Sequence, residues 1–75
     1  MNELAIFLRE RRKDEALTQV EMAEKIGITS ITLSNIENGK PIGSNVLKKL
    51  SKYLNISTRD IRALSKLEVE NNKQV

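Results

Sequence analysis

LTQVEMAEKIGITSITLSNIENGK, residues 17–40, divides at Gly27 into two short helical patterns. The first opens with Thr18-Gln19-Val20-Glu21. In this capping box the Thr18 hydroxyl accepts from the amide three residues on, and Glu21 reaches back to the Thr18 amide. Met22, Ala23 and Ile26 then form a buried stripe, and Gly27 supplies the positive φ of a tight helix-to-helix turn. Thr29 caps the second helix, which points Leu33 and Ile36 inward and ends before Asn38-Gly39-Lys40-Pro41. From Ile28 to Ile36 it carries no charge, and Ser30, Ile31, Ser34 and Asn35 face outward. Small neutral groups on an exposed helix suit close approach to a surface, and the DNA major groove is the best candidate.

Working outward, the periodicity predicts three further helices and no strand. Asn2 to Asp14 places Leu4, Phe7, Leu8, Arg11 and Arg12 on one face at i, i+3, i+4 spacing, with Ile6 opposite. Ser44 to Leu54 buries Leu47, Leu50 and Leu54 and leaves Lys48, Lys49 and Lys52 outside, with Ser44 a candidate cap. After Asn55-Ile56, a fifth helix starts at Ser57-Thr58-Arg59-Asp60 with Ile61 and Leu64 as its apolar face. The expected architecture is all-α: a compact five-helix domain over residues 1–66, with residues 67–75 a tail that either extends the last helix or stays disordered.

Composition narrows the function classes. The 75 residues contain neither cysteine nor histidine, so disulfides, thiolate metal sites and imidazole chemistry are excluded. No acidic pair sits in an evident cleft and no Gly-rich phosphate loop occurs, so neither an enzyme nor a cofactor or metal site is expected. No apolar run approaches the roughly 20 residues that cross a bilayer, and the amino-terminal charges follow an apolar stretch, the reverse of a secretory signal. A cytoplasmic protein is expected. The net charge of +3 is uneven: residues 1–40 hold six Lys/Arg against seven Asp/Glu, and residues 41–75 hold seven against three. That balance is compatible with a polyanionic partner without requiring one.

A helix-turn-helix needs two helices at a steep angle, a short turn often containing Gly, and an apolar inner face. Ala23, Gly27, Ile28, Leu33 and Ile36 meet those needs, although any three-helix bundle could share the spacing. The combination LTQ, MAEKIGI and LSNIENGK, with LRERR before it and LKKLSKYLNIS after it, resembles the Cro and phage-repressor class, the xenobiotic-response-element-like family. The resemblance covers about residues 4–64 and implies a lambda-repressor-like DNA-binding fold.

It also implies residue roles. Thr29, Ser30, Ile31, Ser34 and Asn35 match the positions that enter the major groove, where Asn35 can bond an adenine edge in bidentate fashion and Ile31 suits a thymine methyl. Gln19 matches a phosphate-binding glutamine at a helix start. Asn38 and Lys40 match phosphate-contacting loop positions, and Ser44 with the first amides of its helix could meet phosphate too. Arg12 and Glu37 match an internal salt bridge. Ile42, Gly43 and Asn45 depart from the family by standing where some relatives place basic residues, a loss that Arg9, Arg11 and Lys13 could partly offset.

Few basic contacts imply weak binding by one copy. The expected function is a small stand-alone repressor that binds double-stranded DNA at a two-fold operator as a homodimer, with Ile61, Leu64, Leu67 and Val69 as the dimer surface. The competing reading is a protein-interaction module of the same fold, an antitoxin or an adaptor of the transcription machinery, with a regulatory protein partner.

Overall fold

The computed structural model describes residues 2–67. Five helices follow one another: α1 (Glu3–Asp14), α2 (Gln19–Ile26), α3 (Ser30–Glu37), α4 (Ser44–Leu54) and α5 (Thr58–Lys66). α2 packs on α3 and α4, α1 lies against α3 and α5, and α4 against α5. None of them is long and apolar enough to cross a membrane.

Local chemistry sets the helix starts. The Asn2 side chain accepts from the Ala5 amide, Thr18 from Glu21, Thr29 from Thr32 and Ser57 from Asp60. Each satisfies one of the amides that a helix leaves unpaired in its first turn. Both halves of the Thr18–Glu21 capping box are present, and the Thr18 amide and hydroxyl hold the Glu21 carboxyl below its usual range. α4 differs from its neighbours. Its cap position is Gly43, without a side-chain bond, and Ser44 is its first helical residue and exposed. Ser44 is therefore not the cap, because the chain turns helical one residue too early for its hydroxyl to serve.

The helix ends share one device. Ala16, Gly27, Gly39 and Asn55 take positive φ after α1, α2, α3 and α4. The next residue's amide then reaches back five positions: Leu17 to Arg12, Ile28 to Ala23, Lys40 to Asn35 and Ile56 to Ser51. This is the 6→1 bond of a Schellman ending, which supplies partners for the last carbonyls. α5 ends otherwise. Leu67 is extended and its carbonyl accepts from the Glu3 amide at 2.7 Å, so the helix stops at Lys66 instead of extending through Leu67.

The core consists of Leu4, Leu8, Met22, Ala23, Ile26, Leu33, Ile36, Leu47, Leu50, Leu54 and Ile61. Fully burying one such side chain contributes about 1.5–3 kcal/mol. Ala23, 1% exposed, is the small residue that lets α3 close on α2. Ile61 corrects the expected dimer surface: it is fully buried beneath the neighbouring helices and offers nothing to a second copy. Leu64 packs partly against the core, Leu67 is exposed, and Val69 lies outside the described residues.

Candidate nucleic-acid interface

The frame of the interface is a buried carboxylate. Glu37, the last residue of α3, is 1% exposed. Arg12 grips it with a fork, Nε donating to Oε2 at 3.0 Å and Nη2 to Oε1 at 3.1 Å. Arg12 Nη1 also donates to the Leu17 carbonyl at 3.3 Å, so one guanidinium ties α1 to the start of α2 and the end of α3. A carboxylate this deep is tolerable only when its charge and lone pairs are met. Two further groups meet them. Gln19 Nε2 donates to Oε1 at 3.2 Å, and Arg9 Nε lies 3.6 Å from the same oxygen.

This cluster orients Gln19. Its amide carries two N–H groups, and with one given to Glu37 the other is left to donate elsewhere. The bond to Glu37 has no local sequence signal, since the partners are eighteen residues apart.

Above this frame α3 exposes a neutral face. Ile31 is 73% exposed, which for a β-branched apolar side chain is a cost in water. Ser30, Ser34 and Asn35 are half-buried beside it, and the Asn35 side chain has no hydrogen-bond partner among the described residues. Thr29 is occupied differently. Its hydroxyl accepts from the Thr32 amide at 3.1 Å and donates to Thr32 Oγ1 at 2.8 Å, so it is spent on starting the helix.

Val20, second residue of α2, is a further exposed apolar group at 57%. Its position off the Met22–Ala23–Ile26 stripe was the available signal.

The loop after α3 is fixed by backbone bonds. The Asn38 amide donates to the Ser34 carbonyl at 3.0 Å, Gly39 to Ile36 at 2.9 Å and Lys40 to Asn35 at 3.0 Å. Gly39 sits at φ +83, where a side chain would be strained. Asn38 and Lys40 are exposed at the end of α3. The turn between α2 and α3 has its own brace: Lys49 Nζ donates to the Gly27 carbonyl at 2.9 Å. Lys49 therefore secures the helix-turn-helix, in addition to lying on the outer side of α4.

Not all of the basic residues of α1 are available. Arg11 is paired with Glu15, which also accepts from Tyr53 Oη at 2.9 Å. The Arg11 guanidinium lies 5.9 Å from the Tyr53 ring centroid, within cation–π range. Arg11 is thus committed to joining α1 to α4 and does not add to a phosphate-binding surface. The Arg11 and Tyr53 bonds hold the Glu15 carboxyl below its usual range. Burial and the bond to Glu15 raise the Tyr53 phenol.

Charge accounting changes with these contacts. Residues 18–40 carry two lysines and three glutamates. Glu37 is neutralised by Arg12, whereas Glu21, bonded to the Thr18 amide, keeps its charge. The unit is less acidic toward a partner than its composition implies.

An exposed neutral helix, joined through a tight turn to a capped helix and held by a buried ion pair, defines a helix-turn-helix protein. The helix-turn-helix family profile matches residues 8–61 of the chain. The chain is also similar to the ImmF control region 10 kDa protein of Bacillus phage phi105, 33% identical over 67 residues, which is 89% of this chain and 72% of the relative. No solved structure gives a significant match. The chain belongs to the helix-turn-helix family of Cro and the phage repressors. It is a DNA-binding transcriptional regulator.

Proposed function

We propose that this regulator is a sequence-specific repressor that reads bases with the outward face of α3 and binds a two-fold operator as a dimer. The observation that carries this reading is the uncharged exposed face of α3, with Ile31 at 73% exposure beside Asn35. Ser30, Ile31, Ser34 and Asn35 meet base edges, Ile31 against a thymine methyl and Asn35 against adenine. Thr29 contributes through the helix start it caps. The name of the phage phi105 relative, ImmF control region 10 kDa protein, fits the same class of function.

Phosphate is held from both sides of that face. Gln19 donates its second amide N–H, Asn38 and Lys40 act from the loop, and Ser44 acts with the unpaired first-turn amides of α4. Lys40 is the one full positive charge in this set, so each copy gains little from counterion release. A second copy supplies the missing affinity. Two half-sites one helical turn apart, about 34–36 Å, make the second contact intramolecular. With Ile61 in the core, Leu67 and the outer edge of Leu64 remain for the dimer surface.

Fluorescence anisotropy with a random duplex at two salt concentrations tests the reading. Micromolar, salt-sensitive binding is expected. Absence of binding even at low salt would favour the protein-interaction alternative, in which an antitoxin or adaptor uses the same fold.

A further inference from the structure

A cleft of about 270 Å³ lies beyond the end of α3, where the start of α1, the α3–α4 loop and α5 meet. Asn2, Lys40, Arg62 and Ser65 line it together with Ile42 and Leu47. No carboxylate is among its lining residues, and neither Lys40 nor Arg62 has an acidic partner among the described residues. Asn2 is 4% exposed. Its Oδ1 accepts from the Ala5 amide at 2.8 Å, while its Nδ2 has no acceptor among the described residues. That nitrogen lies 3.7 Å from where a Cβ on Gly39 would stand, which puts it at the wall that Gly39 leaves open. A buried amide donor with no acceptor among the described residues is costly, and a ligand oxygen would relieve it.

We propose that this cleft binds a small organic acid with a short apolar chain. The carboxylate accepts from Asn2 Nδ2 and takes charge-assisted bonds from Arg62 and Lys40, whose guanidinium and ammonium have no acidic partner among the described residues. Ile42 and Leu47 receive the chain. Ser65 donates its hydroxyl to the Arg62 carbonyl at 2.8 Å and so holds the α5 wall in shape. Because Lys40 also stands among the proposed phosphate contacts, an occupied cleft lowers DNA affinity. That consequence rests on the functional reading above, and the binding itself does not.

The test is a titration of the full chain with butyrate, acetate and neutral butyramide, followed by amide nuclear magnetic resonance. The expected result is saturating shifts of the Asn2 side-chain amide and of Gly39. Butyrate should half-saturate at roughly one-tenth the acetate concentration, for two further methylenes in contact with the apolar wall. Arg62→Gln should raise the half-saturation concentration about tenfold through one lost charge-assisted bond. Lys66→Gln, the same charge change outside the cleft, should leave it unaltered. Shifts that never saturate, equal responses to butyrate and butyramide, or equal weakening by the two variants would overturn the proposal. So would an Asn2 amide that responds to duplex DNA but not to butyrate, which would make the cleft a seat for backbone phosphate.

Discussion

Arg11 and Arg12 are neighbours on α1, yet they serve ion pairs of opposite character. Arg12 forks onto Glu37, a carboxylate 1% exposed and 25 residues away, and draws three elements together. Arg11 pairs with Glu15 one turn along its own helix, where both side chains are about a third exposed. Water competes for the second pair and salt screens it, whereas the first is shielded by the helices around it. The difference teaches where each cluster matters: the buried one holds the geometry of the α2–α3 unit, and the exposed one secures a seam between α1 and α4.

The largest expected effect is on the buried side. Arg12→Ala leaves the Glu37 carboxylate with only Gln19 and the more distant Arg9, and should destabilise the fold by about 3–5 kcal/mol, measured by urea unfolding. Replacing both partners with methionine should recover most of that loss, since desolvation offsets much of the attraction in a buried pair. A double variant as unstable as Arg12→Ala would show that Arg12 acts through its bond to the Leu17 carbonyl instead.

Next comes the loop between the two arginine systems. Ala16 holds φ 55, in the left-handed region where its neighbours in the same role are glycine or asparagine. A left-handed alanine costs about 1–2 kcal/mol, and glycine returns part of that as unfolded-state entropy. Ala16→Gly should therefore raise stability by about 0.5–1 kcal/mol in thermal unfolding. A loss would mean that the methyl group makes a compensating contact.

The exposed cluster gives the smallest effect and a pH signature. Glu15 has its pKa lowered by Arg11 and Tyr53, so its contribution is present above the unfolded value near 4.5 and is lost as pH falls through the lower folded value. Tyr53 has its pKa raised by burial and by Glu15, so its contribution is present below the unfolded value near 10 and is lost as pH rises through the folded one. Glu15→Gln should flatten the acid limb of stability against pH and lower neutral-pH stability by the same small amount. A large loss at neutral pH would erase the contrast with Glu37.

Much of this organisation was legible in local pattern. The stripes through Leu4, Leu8, Met22, Ala23, Ile26, Leu33 and Ile36, the Thr18–Glu21 box, and the turns at Gly27 and Gly39 depend on neighbours within a few residues. What escaped depends on distant ones. Ile61 read both as part of the apolar face of the fifth helix and as dimer surface, because its cover comes from other helices. Lys49 read as a solvated charge because its acceptor, the Gly27 carbonyl, is 22 residues away. Gln19 read as a donor to phosphate alone, and its bond to Glu37 emerges only once α2 meets the end of α3. The cap of α4 misread by one residue, since Gly43 and Ser44 are both acceptable at a helix start.

The most direct test of base reading by α3 is a selection of bound duplexes from a random library, run with the wild-type chain and with Asn35→Ala. The wild type should enrich a two-fold site. Asn35→Ala should lose preference at one base pair in each half-site, equivalent to roughly 1–3 kcal/mol, with binding to random DNA unchanged. Equal losses on selected and random DNA, or no enrichment by the wild type, would contradict it.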